Sequence, residues 1–359
     1  MRARRIAEAL RDDDFSVTLV TGGMPLPVFD VPGIQHVALP PMAVSGKDFN
    51  ELVDAAGKPI DEAFRQQRCE LLLDTFRSVK PDIVMTEAFP FGRRQVRFEL
   101  LPLISAIEAA TPAPLLLASI RDILQVRSKP GRDEESVSLV QQHFKKVLVH
   151  GDPAFTTLAE SFPLAADISD RIIYTGLVCG SKPTPAQDRF NVVVSAGGGA
   201  VGEKLVRAAI EAARQLPDIN TWCVIAGPNL PDNTFTEIMS SAPSNVTVER
   251  FRNDFTSLLM GAELSISQAG YNTVSDVLQA NCRALLVPFS TGGETEQAAR
   301  AQRLKELGLA TVLSDVDLSG QQLALAIPES MRLSPPVSRM AIDVKGADNT
   351  ARILRDLLN

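Results

Sequence analysis

Val192-Val193-Val194-Ser195-Ala196-Gly197-Gly198-Gly199-Ala200-Val201-Gly202 is the stretch on which the reading of this chain turns. An apolar, β-branched run feeds a glycine loop, and the loop feeds a helical pattern that begins near Glu203. Three consecutive glycines remove every Cβ from the turn, so backbone can approach a ligand closely. The first N–H groups of the helix lack intrahelical partners and lie at the positive end of its dipole. Together these suit a phosphate or pyrophosphate. The spacing is not G-x-G-x-x-G, and the Lys of a P-loop is absent. A plain tight strand-to-helix connection is therefore the competing reading.

The same grammar returns at Leu264-Ser265-Ile266-Ser267-Gln268-Ala269-Gly270-Tyr271-Asn272-Thr273-Val274-Ser275-Asp276: strand, small-residue turn, helix. Two such turns would lie at the carboxyl ends of parallel strands, where open α/β sheets bind ligands.

Strands and helices alternate outward from these stretches. In the first half, strands are expected at Ser16–Val20, Ile34–Leu39, Asp82–Thr86, Pro114–Ile120, Lys146–His150 and Arg171–Tyr174. Met42–Lys58 reads as a loop with short helices. In the second half, strands are expected at Asn191–Ser195, Thr221–Ala226, Val246–Glu249, Leu264–Ser267, Arg283–Val287 and Ala310–Val312, with helices between. Gly176–Arg189, which contains Gly180-Ser181-Lys182-Pro183-Thr184-Pro185, is the best linker. The expected fold is α/β: two doubly wound, Rossmann-like domains facing a cleft. The expected division is 1–180, 181–345 and a terminal helix, 346–359, crossing back to the first domain.

Composition excludes more than it identifies. The 359 residues carry a net charge of −7 and no basic stripe, so no nucleic-acid role is expected. Cys69, Cys179, Cys223 and Cys282 lie far apart with no C-x-x-C pair. Zinc and disulfide frameworks are thus not expected, and the thiols read as small buried hydrophobes in a reducing, cytoplasmic setting. No apolar run reaches the length of a membrane span, and the basic start Met1–Leu10 has no apolar signal-peptide core. Its arginines read as a solvated helix face; a peripheral membrane contact has no further support.

After Asp276 the chain continues Leu285-Leu286-Val287-Pro288-Phe289, then Gly292-Gly293-Glu294-Thr295-Glu296-Gln297 and a helix ending near Ala310. With the glycine loop and the Ala-Gly-x-x-Thr-x-x-Asp turn, this resembles the C-terminal domain of the nucleotide-sugar glycosyltransferases that include the UDP-N-acetylglucosamine transferase of peptidoglycan synthesis. The whole chain is similar to an uncharacterised branch of predicted glycosyltransferases. Glu87-Ala88-Phe89-Pro90-Phe91-Gly92-Arg93-Arg94-Gln95 and Val149-His150-Gly151-Asp152-Pro153 fit that branch.

The resemblance implies a GT-B architecture and transfer of a sugar from a nucleotide-diphosphate donor, UDP-linked, to a hydroxyl acceptor. The acceptor class stays open among saccharide, lipid and small molecule. Family members carry a short strand and a Gly/His-containing loop ahead of the first helix, whereas this sequence opens inside that helix. A truncated start and a protein that works without the loop are both open.

The resemblance also distributes roles. Gly197, Gly198 and Gly199 are the first diphosphate candidates, and Gln268, Gly270, Asn272 and Thr273 the second. Asp276 is the candidate for the ribose hydroxyls, although Thr-x-x-Asp is equally a helix capping box. Phe251 matches the region that holds the base, against a plain core Phe. Glu296 and Gln297 match a pair that contacts sugar hydroxyls. The first Glu, where other members have Gln, points to an altered sugar preference.

In the first half, Glu87, Asp122 and His150 follow successive strands and are the catalytic candidates. Arg93, Arg94 and Arg121 are acceptor-side candidates. Glu87 is favoured as general base because the aromatic loop after it would exclude water. Singly, each of these residues also reads as a surface or capping residue. No cofactor and no metal is expected: UDP departure, with inversion, would be stabilised by N–H groups of the glycine loop. The other readings are a UDP-sugar hydrolase or epimerase, and an inactive nucleotide-sugar-binding protein.

Overall fold

The computed structural model describes residues 1–25, 31–45, 51–127, 129–197, 202–290, 293–335 and 342–359. It divides into two compact units. The first is Met1–Pro153, Thr157–Val178 and Lys345–Asn359; the second is Ala154–Thr156 and Cys179–Val344.

The first unit opens with α1 (Arg2–Asp12), β1 (Thr18–Thr21) and β2 (Gln35–Ala38), a parallel pair. An antiparallel pair comes next, β3 (Met42–Val44) and β4 (Leu52–Asp54), with Ala43 opposite Val53. This corrects the loop with short helices expected over Met42–Lys58. Its strands are three residues each, too short for an alternating pattern to show. Then come α2 (Glu62–Val79), β5 (Ile83–Glu87), α3 (Arg97–Ala109), β6 (Leu115–Arg121), α4 (Arg132–His143), β7 (Lys146–His150) and β8 (Ile172–Tyr174).

Strands β5 to β8 form a parallel sheet in chain order. Its middle strands are apolar on both faces, because helices cover both sides of such a sheet. Helix α2 begins where the Asp61 carboxylate accepts from Phe64 N at 2.8 Å, a side-chain cap for an otherwise orphan donor.

The second unit holds β9 (Val192–Ser195), α5 (Glu203–Gln215), β10 (Trp222–Ile225), α6 (Asp232–Ser241), β11 (Val246–Glu249), α7 (Phe255–Gly261), β12 (Leu264–Ser267), α8 (Tyr271–Ala280), β13 (Ala284–Leu286), α9 (Glu296–Glu306), β14 (Thr311–Val312) and α10 (Gly320–Met331). Its six strands are parallel in the order β11-β10-β9-β12-β13-β14. Val192, Val194 and Ala196 turn one face of β9 into a core with Leu205, Val206 and Ile210 of α5 and Leu323 and Ile327 of α10. Period two then sends Val193 and Ser195 to the other face.

Helix α11 (Gly346–Leu358) belongs to the first unit, where it packs on α1. Gly346 is required there: a Cβ on it would fall 2.3 Å from Gly176 O.

Candidate active site

The strand order of the second unit fixes where a ligand can enter. From β9 the chain runs outward through β10 and β11, then returns to the other side of β9 as β12 and runs outward through β13 and β14. The connections that leave β9 and β12 therefore diverge, and a crevice opens at their carboxyl ends. Ser195 and Ser267 stand side by side as the last residues of these strands.

The turns beyond those serines are short of side chains. Gly197 takes a φ of +72°, and a Cβ on it would lie 3.4 Å from Gln268 Oε1. Gly227, after β10, takes a φ of +90°; its Cβ would lie 2.6 Å from Gly197 O. Both positions disfavour other residues by backbone conformation, and Gly227 excludes a Cβ by contact as well. A Cβ on Gly202 would lie 2.3 Å from that of Ala196, so α5 starts tight against the end of β9. Gly198 and Gly199 lie outside the described residues.

Both helices that start at the crevice are capped by glycine. Helix α5 begins after Gly202 and α8 after Gly270, and neither has a side-chain capping hydrogen bond. Most other described α-helices lack such a cap too; α2 and α10 are the ones with it, from Asp61 and Ser319. First-turn N–H groups without a side-chain cap remain available to an anion. At α8 a Cβ on Gly270 would meet nothing within 4 Å.

Two alternatives read from the sequence fall here. The cap of α8 is Gly270, so Thr273 stands inside the first turn and Thr273–Asp276 is not a capping box. Asp276 is a buried carboxylate in the second turn. Asn272 Oδ1, also in the first turn, is buried without a hydrogen-bond partner. Phe251 is 50% exposed, which excludes a plain core role. Its neighbours hold themselves down instead: Arg250 donates to Leu230 O at 2.8 Å, and Arg252 pairs with Glu249, Asp254 and Asp188.

At the start of α9 the Glu294 carboxylate accepts from the backbone N of Glu296 at 2.6 Å and of Gln297 at 3.2 Å. Gln297 Oε1 accepts from Phe289 N at 3.3 Å, tying α9 to the end of β13. Glu296 is buried and pairs with Arg300.

Sequence reasoning passed over Arg300 and Gly227. The first was signalled by its four-residue spacing from Glu296, and the second by its place two residues past β10. It also passed over two Asp-x-Asp spacings, Asp12–Asp14 and Asp315–Asp317, which bear on the metal-free expectation. Asp315 accepts from Ser290 N and Oγ at 3.0 and 2.6 Å, and Asp12 from Arg11. Among the described residues no group of three or more His, Cys, Asp or Glu is placed to hold a metal ion.

The first unit treats its strand ends differently. His150 ends β7 fully buried, with Nε2 2.8 Å from Ser119 Oγ and Nδ1 2.8 Å from Thr175 Oγ1. Burial, seconded by the charge of Arg2, pushes its pKa well below the ordinary histidine value. Asp122 is also fully buried; its Oδ1 accepts from Ile123 N at 2.8 Å, and its Cβ stands where a side chain on Gly151 would be. Glu87 keeps 36% of its side chain exposed and meets Arg2 at 3.4 Å.

The aromatic loop after Glu87 does not surround the carboxylate, contrary to expectation. Phe89 and Phe91 pack into the core, Phe91 edge-on to Phe162 at 5.1 Å between centroids. Arg94 pairs with Glu135, while Arg93 and Arg121 are exposed.

Residues 192–350 match the glycosyltransferase family 28 C-terminal domain. The match spans most of the second unit and runs on into the start of α11. The match takes in every donor-side candidate, from Gly197 to Gln297, and none of the first-unit candidates. The chain is 23% identical over 188 residues to the UDP-N-acetylglucosamine–N-acetylmuramyl-(pentapeptide) pyrophosphoryl-undecaprenol N-acetylglucosamine transferase of Thermotoga neapolitana. That match covers 52% of this chain and 53% of the relative, so the chain spans about half the length of that protein. The protein of the same name from Sulfurihydrogenibium is 24% identical over 381 residues, covering 99% of this chain and 94% of the relative. Among solved structures, MurG of Acinetobacter baumannii superposes with a TM-score of 0.60 at 15% identity, covering 99% of this chain and 95% of that one. The chain thus has the GT-B fold seen in those structures.

Proposed function

We propose that this protein transfers a sugar from a UDP-linked donor to a hydroxyl acceptor, without a metal and with inversion. The observation that carries the proposal is the glycine-lined crevice at the carboxyl ends of β9 and β12, where two helices capped only by glycine begin. The names of the relatives, UDP-N-acetylglucosamine transferases, support UDP as the nucleotide.

In this reading the diphosphate lies against the first-turn N–H groups of α5 and α8. Asp276 accepts from the ribose hydroxyls, Phe251 lies against the base, and Glu296 and Gln297 meet the sugar. Glu87, which keeps its carboxylate partly exposed where Asp122 and His150 do not, removes the acceptor's hydroxyl proton. The acceptor oxygen attacks the anomeric carbon as the bond to the β-phosphate oxygen breaks. The charge developing on UDP falls on donors already oriented, which is how such sites lower a barrier.

Among the described residues no helix is long and apolar enough to cross a membrane. We place the reaction in the cytoplasm, where nucleotide sugars are available.

The test is hydrogen exchange with and without saturating UDP, then UDP release from UDP-N-acetylglucosamine with and without a mixed acceptor extract. Protection around Gly202–Val206 and Gly270–Asp276, with release that requires the extract, is expected. Unchanged exchange in both segments overturns the donor site, and release without acceptor makes the protein a hydrolase.

A further inference from the structure

Arg300 is fully buried on α9, and it is not idle. Its Nη2 meets Glu296 Oε1 at 2.8 Å, and its Nη1 donates to Ala269 O at 3.0 Å. The guanidinium carbon lies 5.7 Å from the centre of the Tyr271 ring. Ala269 directly precedes Gly270, the cap of α8, and Tyr271 is the first residue of that helix. One planar cation therefore touches the start of α9 and the turn that opens α8.

A charge is brought out of water at a cost, recovered only through a well-placed partner and further hydrogen bonds. A buried aliphatic residue would pack the same space without that cost. What the guanidinium adds is direction, because its fork holds two acceptors in a fixed relation. Glu296 is fixed from its backbone side as well, by Glu294 Oε1. Glu296 is thus held at its backbone by Glu294 and at its carboxylate by Arg300, beside the turn assigned to the diphosphate and ribose.

We infer that Arg300 is a positioning residue that locks Glu296 as an anionic acceptor for donor-sugar hydroxyls. The site then takes nucleotide-linked neutral hexoses and rejects nucleotide-linked hexuronates. The inference rests on the donor-site reading above. An ionised carboxylate only accepts hydrogen bonds, so ring hydroxyls suit it as donors. A uronate carboxylate offers no donor and adds a like charge.

The test is calorimetric binding of UDP, UDP-glucose, UDP-N-acetylglucosamine and UDP-glucuronate to the wild type, Glu296→Gln and Arg300→Lys. The wild type should bind at least one neutral donor about tenfold or more tighter than UDP-glucuronate, the scale of a lost hydrogen bond to a charged group. Both variants should bring that ratio within about threefold of unity while the Kd for UDP itself stays within about threefold of wild type.

A merely structural role would lower melting temperature and UDP affinity together and leave the ratio alone. That result in both variants overturns the inference, as does a wild type without preference for neutral donors. Should Arg300→Lys fail to fold, Glu296→Gln, close to isosteric, decides by itself. A wild type that does not bind UDP overturns the donor site and the inference with it. A wild type that binds UDP while both variants keep the preference overturns the inference alone.

Discussion

The carboxyl ends of the two parallel sheets are built on opposite plans. In the second unit the residues just past β9, β10 and β12 include Gly197, Gly227 and Gly270, and two helices begin there without side-chain caps. In the first unit the corresponding edge carries Glu87, Asp122 and His150, and the fold turns two of the three inward. His150 spends both ring nitrogens on hydroxyls, and Asp122 holds its own loop. An ionisable residue at a strand end gives an address in the fold and says nothing of exposure. A glycine there says more, because it has no side chain to turn inward and its backbone must face whatever occupies the gap.

The largest test of this contrast is kinetic. Glu87→Gln should lower UDP release in the presence of acceptor by about 10²–10⁴-fold, the range for loss of a general base. His150→Asn should leave the rate within a small factor of wild type. The reverse outcome would mean that the buried imidazole works and that the two edges are more alike than they look.

Next comes Asp276→Ala. With the capping role excluded, UDP affinity should fall about tenfold to a hundredfold, as for lost hydrogen bonds to a charged group. Calorimetry with UDP checks it. A lower melting temperature with unchanged affinity would make Asp276 a packing residue of α8.

Two glycine variants sharpen the picture further. Gly227→Ala forces a Cβ against Gly197 O at a positive φ, a strain on the order of 1–3 kcal/mol. Melting temperature and UDP affinity should fall together, the latter by about tenfold. Gly270→Ala meets no protein atom within 4 Å at its Cβ, so melting temperature should hold while affinity drops. Equal effects of the two on melting would show that the open space at Gly270 is not what the ligand uses.

The smallest effect concerns His150. Its folded pKa is depressed, so above the unfolded value the ring is neutral in both states and costs nothing. Below about pH 6.5 the unfolded chain takes a proton that the buried ring refuses, and stability falls by at most about 1.4 kcal/mol per pH unit. The fall in melting temperature between about pH 7 and pH 5 should be steeper for wild type than for His150→Gln. Equal slopes would mean that the ring is protonated within the fold.

The second unit was the more legible half. Its β-branched strands and glycine turns are local signals, and they placed β9, β12 and the start of α5 to within a residue or two. The roles of Asp276 and Phe251 needed three dimensions to narrow, because Thr-x-x-Asp has one spelling for two jobs and an exposed Phe reads like a buried one. Arg300 was hidden for a related reason: a charge in a helical pattern reads as solvated, and only tertiary packing reveals it at the core. In the first unit the hairpin of β3 and β4 escaped because so few residues carry it, and the phenyl rings of Phe89 and Phe91 escaped because a loop's sequence does not say which way it folds.

Helix α11 imposes an order on assembly. The first unit includes it, packed on α1, with Arg355 paired to Asp13, yet the ribosome makes it only after the whole of the second unit. The second unit can therefore gather its sheet and its core during synthesis, as domains generally fold in units. The first unit waits with the face of α1 uncovered until the final helix emerges. A chain cut short before Gly346 would keep the whole sheet of the second unit and would strip from the first unit the helix that covers α1.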